Sequence, residues 1–135
     1  MEQIHKEIVE EFELFDLWED KYAYLIDLGR DIPLIDEQFK TEDYLVRGCQ
    51  SKVWLYCEHK DDKLYFTADS DALITKGIVS LIVRAYSGFS PLKIIEMNHD
   101  FIDKIGLSNH LSMTRANGLV AMINKIKTYG KQYAK

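Results

Sequence analysis

The chain has 135 residues, 47% of them hydrophobic and 29% charged, with a formal net charge of −5. That is the composition of one globular domain, residues 1–135, large enough to bury about two thirds of the surface its unfolded form exposes. The acidic balance argues against a nucleic-acid groove, which needs clustered Lys and Arg, and no apolar run is long enough to span a bilayer.

Residues 3–15 carry Ile4, Ile8, Phe12 and Phe15 at helical spacing. Glu7, Glu10, Glu11 and Glu13 read as the solvated face of that helix. Asp16-Leu17-Trp18-Glu19 resembles a capping box. It predicts a second helix with Trp18, Tyr22, Leu25 and Ile26 on one side and an end near Gly29. Ile32-Pro33-Leu34-Ile35-Asp36 is irregular, because proline breaks the period.

Three strands are predicted next, at Tyr44–Arg47, Lys52–Glu58 and Leu64–Ala68. His59-Lys60-Asp61-Asp62-Lys63 is polar and reads as a hairpin turn. A small meander of this kind needs cover on one face. The cover is predicted over Asp71–Tyr86, where Leu73, Ile74, Ile78, Leu81, Ile82 and Ala85 form a broad apolar stripe. Asp69-Ser70-Asp71 reads as the cap of that helix. Gly88 fits its stop, and Pro91 fits the opening of a further short helix. A helical turn is expected near Phe101–Ile105. A last helix is expected from Thr114 to about Lys131, burying Leu119, Met122, Ile123 and Ile126. The predicted class is α+β, a small antiparallel three-stranded sheet packed against helices.

The chemistry points to Val46-Arg47-Gly48-Cys49-Gln50-Ser51-Lys52-Val53-Trp54. Cys49 follows a glycine and precedes an apolar alternating run, which places it on a loop feeding a strand. A sulfur nucleophile must be a thiolate, and nearby positive charge lowers its pKa. Arg47 and Lys52 flank Cys49 and are candidates to supply that charge. Gly48 frees the backbone and clears space for a bulky partner. Spacing alone leaves open a simple small buried residue. Cys57 shares strand parity with Val53 and Leu55, so it is expected to face the core. Along an extended strand Cys49 and Cys57 stand roughly 26 Å apart, beyond disulfide reach. Without a segment of signal-peptide type, free thiols suggest a reducing cytoplasm.

Other constellations are weak. Cys57-x-His59 lacks the second pair that zinc spacing requires, so no metal site is expected. His5, His99 and His110 read as surface or capping residues. The eight Tyr and two Trp read as core or interface residues.

Four blocks in one order carry a resemblance, from about residue 10 to 129. Gly48-Cys49-Gln50-Ser51-Lys52-Val53-Trp54 resembles the active-site segment of the SufE family of sulfur-acceptor proteins. Tyr24–Arg30 resembles that family's N-terminal helix ending. Asp69-Ser70-Asp71-Ala72 followed by Lys76-Gly77 resembles the opening of its central helix. Leu111–Leu119 resembles its Ser-Arg-x-Asn-Gly-Leu segment, with Met113 where many members have Pro and Thr114 where many have Ser.

The resemblance implies the fold shared by SufE and the IscU-type scaffolds. It implies that Cys49 takes persulfide sulfur from a SufS-type cysteine desulfurase, raises its turnover, and delivers sulfur to a SufBCD-type iron–sulfur scaffold. No cofactor is implied for this chain, since the pyridoxal phosphate belongs to the desulfurase. Gly48, Gln50 and Ser51 would form the loop, with Gly48 as a hinge. Arg115, Asp71 and Lys76 become candidates for partner docking or for orienting the loop. An apolar pocket is expected around the resting sulfur, with the loop swinging out on transfer. The blocks fit SufE and the related CsdE alike, the latter feeding another sulfur-using pathway. An IscU-type scaffold is disfavoured because only Cys49 looks presented. A desulfurase activator that carries no sulfur, and a peroxide-sensing thiol, are the remaining readings.

Overall fold

The computed structural model describes residues 2–49, 51–107 and 113–134, with residues 113–116 described by their backbone only. Helices α1 (Gln3–Glu13) and α2 (Trp18–Arg30) come first. Two 3₁₀ turns, Glu37–Phe39 and Glu42–Tyr44, lead to strands β1 (Val53–Lys60) and β2 (Lys63–Ser70). Then follow α3 (Leu73–Tyr86), α4 (Pro91–Glu96), α5 (Asp100–Ile105) and α6 (Met113–Tyr133).

The sheet among the described residues is a two-stranded antiparallel hairpin, with Val53 opposite Ser70 and Lys60 opposite Lys63. The predicted third strand at Tyr44–Arg47 does not form. Its first residue ends a 3₁₀ turn, and only Leu45 bridges Trp54. Gly48 at φ +94° then turns the chain away from the sheet direction.

The hairpin turn is tighter than the five-residue link expected. Asp61 and Asp62 alone make it, at φ +53° and +60°. Two successive left-handed residues match the twist of a two-residue hairpin, and Asp tolerates that region better than most side chains. His59, Lys60 and Lys63 therefore lie in the strands.

One face of the hairpin enters the core through Val53, Leu55, Cys57, Leu64, Phe66 and Ala68, all buried. Across them lies α3, which is buried along most of its length. Leu73, expected in its apolar stripe, is instead 70% exposed, because it sits in the first turn, outside the core. Between α2 and α3 the backbones touch: a Cβ on Gly77 would stand 2.1 Å from the Leu25 carbonyl oxygen. No residue but glycine fits that crossing.

The long helix α6 closes the core with Leu119, Met122, Ile123 and Ile126, as its spacing predicts. The Tyr129 hydroxyl donates to the Leu55 carbonyl at 3.1 Å, tying α6 to β1. Lys127 donates to the Ile94 and Ile95 carbonyls at 2.6 and 3.2 Å, and also to that of Met97. These are the orphan acceptors at the end of α4, where a cation is favoured. Pro91 opens α4 as expected, with Ser90 accepting the Lys93 N–H at 3.2 Å.

Several local expectations are corrected. Asp16 caps nothing: the residue before α2 is Leu17, with no side-chain cap. Neither Asp69 nor Asp71 caps α3, whose N-cap is Ala72. His5 is buried rather than on the surface. Its Nε2 pairs with the Ala85 carbonyl at 3.0 Å, and its ring lies 4.2 Å from that of Phe101. His110 lies outside the described residues. Glu11 is not part of a solvated face. The Arg84 guanidinium donates to both its oxygens, at 2.7 and 2.6 Å, and holds its carboxyl below the ordinary range. The Tyr24 hydroxyl donates to it as well, so one carboxylate ties α1, α2 and α3 together. No described helix is long and apolar enough to cross a membrane.

Candidate functional site

Cys49 lies on the loop between Val46 and Val53, as its sequence setting predicts. Both ends of that loop are tied. At its base the Val46 N–H donates to the Val53 carbonyl at 2.8 Å. Near its far end the Asp71 carboxylate accepts the Lys52 N–H at 3.0 Å, while the Asp71 N–H donates to the Lys52 carbonyl at 3.3 Å. Asp71 thus touches the loop directly, through the backbone of Lys52.

The tip rests on α6. Gly48 adopts φ +94°, a region that a side chain strains, and a Cβ there would stand 3.3 Å from Cβ of Ala121. Beside it, the Cys49 thiol donates to the Gly118 carbonyl at 3.6 Å. A Cβ on Gly118 would be 3.3 Å from the sulfur. Gly118 and Ala121 are three residues apart and so share a helix face. Their small size lets the loop lie against it. That contact was missed from sequence, although two small residues three apart on a helix are its signal.

The sulfur is half-buried, and burial alone pushes the Cys49 thiol above its ordinary pKa. Arg47 and Lys52 are exposed and contribute no lowering. The resting group is a thiol. Nor is the expected apolar pocket there. The sulfur packs on the core from one side, while a cleft on the other is lined by Leu45, Val46, Arg47, Gly48, Ser51 and Lys52. Charged and hydroxyl groups at its mouth keep that cleft from being a dry cavity.

Lys76 is not on the loop. It pairs with Asp69 at 3.2 Å, and Lys40 pairs with the same carboxylate at 2.5 Å. Burial pushes the Asp69 carboxyl up, but Lys40, the Ser70 N–H and Lys76 together outweigh it and hold the group below its ordinary value. This cluster ties the segment before β1 to the end of β2 and the start of α3. Ser51 lines the cleft, whereas Gln50 lies outside the described residues. Arg115 falls in the first turn of α6, and its side chain lies outside the described residues.

Cys57 faces the core, as its parity predicts, and burial pushes its thiol up to about 12. Both cysteines are free. Among the described residues no three His, Cys, Asp or Glu side chains converge to hold a metal. One presented sulfur on a tethered loop can accept and release a group by exchange.

Comparison with known proteins places the chain in a family. The chain is 39% identical over 127 residues to an uncharacterized SufE-like protein of Rhizobium meliloti, spanning 90% of this chain and 91% of that one. It is 36% identical over 130 residues to an uncharacterized SufE-like protein of Rhizobium etli, spanning 93% and 88%. The solution structure of a hypothetical protein from Thermus thermophilus shares the fold, with a TM-score of 0.79 at 19% identity over 96% of this chain and 95% of that one. A family model, SufE: Fe-S metabolism associated domain, matches residues 6–130. The chain belongs to the SufE family.

Proposed function

We propose that this chain is a sulfur acceptor and carrier whose working group is Cys49. The sulfur comes from a SufS-type cysteine desulfurase that holds it as a persulfide. The Cys49 thiolate attacks the outer sulfur, the desulfurase S–S bond breaks, and the desulfurase cysteine leaves as a thiolate. One S–S bond forms and one breaks, so the step needs no oxidant and no cofactor on this chain. Freeing the desulfurase cysteine raises turnover. The carried sulfur then passes to an iron–sulfur scaffold of the SufBCD type, in the cytoplasm.

The observation that carries this reading is the seating of Cys49 between Gly48 and Gly118. At rest the thiol is protonated and half-covered, which protects it and the persulfide it would bear. The attack requires a thiolate, so the loop must leave Gly118 when the donor docks. Gly48 is the residue with the backbone freedom to turn. Asp71 sets the resting position from the other end.

The test is desulfurase turnover, read as alanine released from cysteine, with and without this protein. Wild type is expected to raise the rate and Cys49→Ser to leave it at the basal value. Equal stimulation by Cys49→Ser would replace the carrier by an activator that bears no sulfur.

A further inference from the structure

A strap of chain, residues 36–45, leads into the Cys49 loop, and no residue in it is buried. It runs between two core anchors, Ile35 and Val46. Its own fastening is to the outer face of the hairpin, where Trp54 and Tyr56 point by alternation with the buried Val53, Leu55 and Cys57. Phe39 stacks flat on Tyr56 with ring centroids 4.0 Å apart, and Tyr44 meets the Phe39 and Tyr56 rings edge-on at 5.3 and 5.4 Å.

Lys40 makes the charged fastening. Its ammonium pairs with Asp69 on β2 at 2.5 Å and lies 5.5 Å from the centre of the Trp54 ring. Trp54 stands opposite Asp69 across the hairpin, so both contacts fall at one place. That place is the root of the Cys49 loop, because Leu45 bridges Trp54 and the Val53 carbonyl accepts the Val46 N–H. The other carboxylate on Lys40, Glu37 at 3.2 Å, belongs to the strap itself and fastens it to nothing. Asp69 is 7% exposed, so its pairing with Lys40 is screened less than a surface pair. Lys76 holds the other oxygen of Asp69 from α3, which fastens the helix and not the strap.

We propose that Lys40 is a positioning residue for Cys49. Its clasp on Asp69 pins the strap, fixes the first root of the loop and sets how often the sulfur leaves Gly118. The inference rests on the sulfur-acceptor reading for its purpose, and adds a second anchor to the one at Asp71. A loop held at both roots confines its swing to Gly48.

The experiment compares Lys40→Met with Lys76→Met. Each removes one cation from Asp69 and changes the net charge equally, but only the first frees the strap. In both, Asp69 keeps one lysine and the Ser70 N–H. Each protein is alkylated with iodoacetamide, a neutral reagent, and the adducts are assigned to Cys49 or Cys57 by peptide mass. Buried Cys57 reports opening of the whole fold. The clasp predicts alkylation of Cys49 faster by about fivefold in Lys40→Met. It predicts Lys76→Met near wild type, and Cys57 slow in both. Equal acceleration in the two variants would reduce the effect to a weakened Asp69 cluster and overturn the assignment to Lys40. No acceleration in Lys40→Met, or acceleration matched at Cys57, would overturn it as well. Sulfur uptake by wild type from an active SufS-type desulfurase is read separately. If wild type takes none, the acceptor reading fails, while the alkylation rates still decide whether Lys40 holds the loop.

Discussion

Gly118→Ala separates the seating of Cys49 from the stability of the fold. The added Cβ would stand 3.3 Å from the sulfur and 3.6 Å from Cα of Cys49, so the loop must retreat by a few tenths of an ångström. That lengthens a thiol–carbonyl contact already at 3.6 Å. A neutral hydrogen bond contributes about 0.5–1.5 kcal/mol, and a thiol is a weak donor, so the seated loop loses roughly 0.5–1 kcal/mol. In the opposite direction, Ala in place of Gly inside a helix adds about 1 kcal/mol. Global stability therefore stays within about 1 kcal/mol of wild type, while the unseated population rises roughly two- to five-fold. The assay is iodoacetamide alkylation of Cys49 followed by intact mass, beside a thermal melt. The prediction is alkylation faster by about that factor with little change in Tm. Unchanged or slower alkylation would refute the seating argument. Acceleration accompanied by a large fall in Tm would assign it to global unfolding.

Asp71→Ala removes the acceptor of the Lys52 N–H, and a lost bond of this kind costs about 0.5–1.5 kcal/mol. Faster proteolytic nicking within residues 47–52 is expected, with Asp71→Asn near wild type because its carbonyl still accepts; equal nicking of wild type and Asp71→Ala would show that Asp71 does not hold the loop. His5 gives a pH dependence. Burial holds its imidazole below the ordinary value, aided by Lys127 and the N-terminus and opposed by the bond to the Ala85 carbonyl and by Glu2. The unfolded chain takes up the proton near pH 6.5, so the contribution of His5 is complete above that value and is lost as pH falls toward the lower folded pKa. Melts at pH 7.5 and 5.5 should show a larger fall for wild type than for His5→Gln, and parallel falls would contradict the linkage.

Much of this architecture was legible because it rests on local periodicity. The buried faces of α1 and α6, the Pro91 helix start and the hairpin of β1 and β2 all follow from residue spacing. The presentation of Cys49 followed from one glycine and the apolar run after it. What stayed hidden depends on residues distant in sequence. Glu11 belongs with Arg84, and His5 with Ala85, and no helical pattern separates such carboxylates and imidazoles from solvated ones. Asp69 and Asp71 look like caps because capping is the commonest use of acids before a helix, yet lysines and a loop amide claim them here. The third strand failed because Leu45 and Val46 have strand propensity while the turn before them and Gly48 after them leave no length to pair. The charge of Arg47 and Lys52 was visible in the sequence. That it does not act on the sulfur depends on burial and direction, which spacing does not encode.

The central claim is that Cys49 carries sulfur. The most direct measurement is intact mass after incubation with a SufS-type desulfurase and cysteine, for wild type and Cys49→Ser. The account predicts a gain of about 32 Da on wild type, reversed by a reducing thiol and absent from Cys49→Ser. No added sulfur on wild type beside a demonstrably active desulfurase, or the same gain on Cys49→Ser, would contradict it.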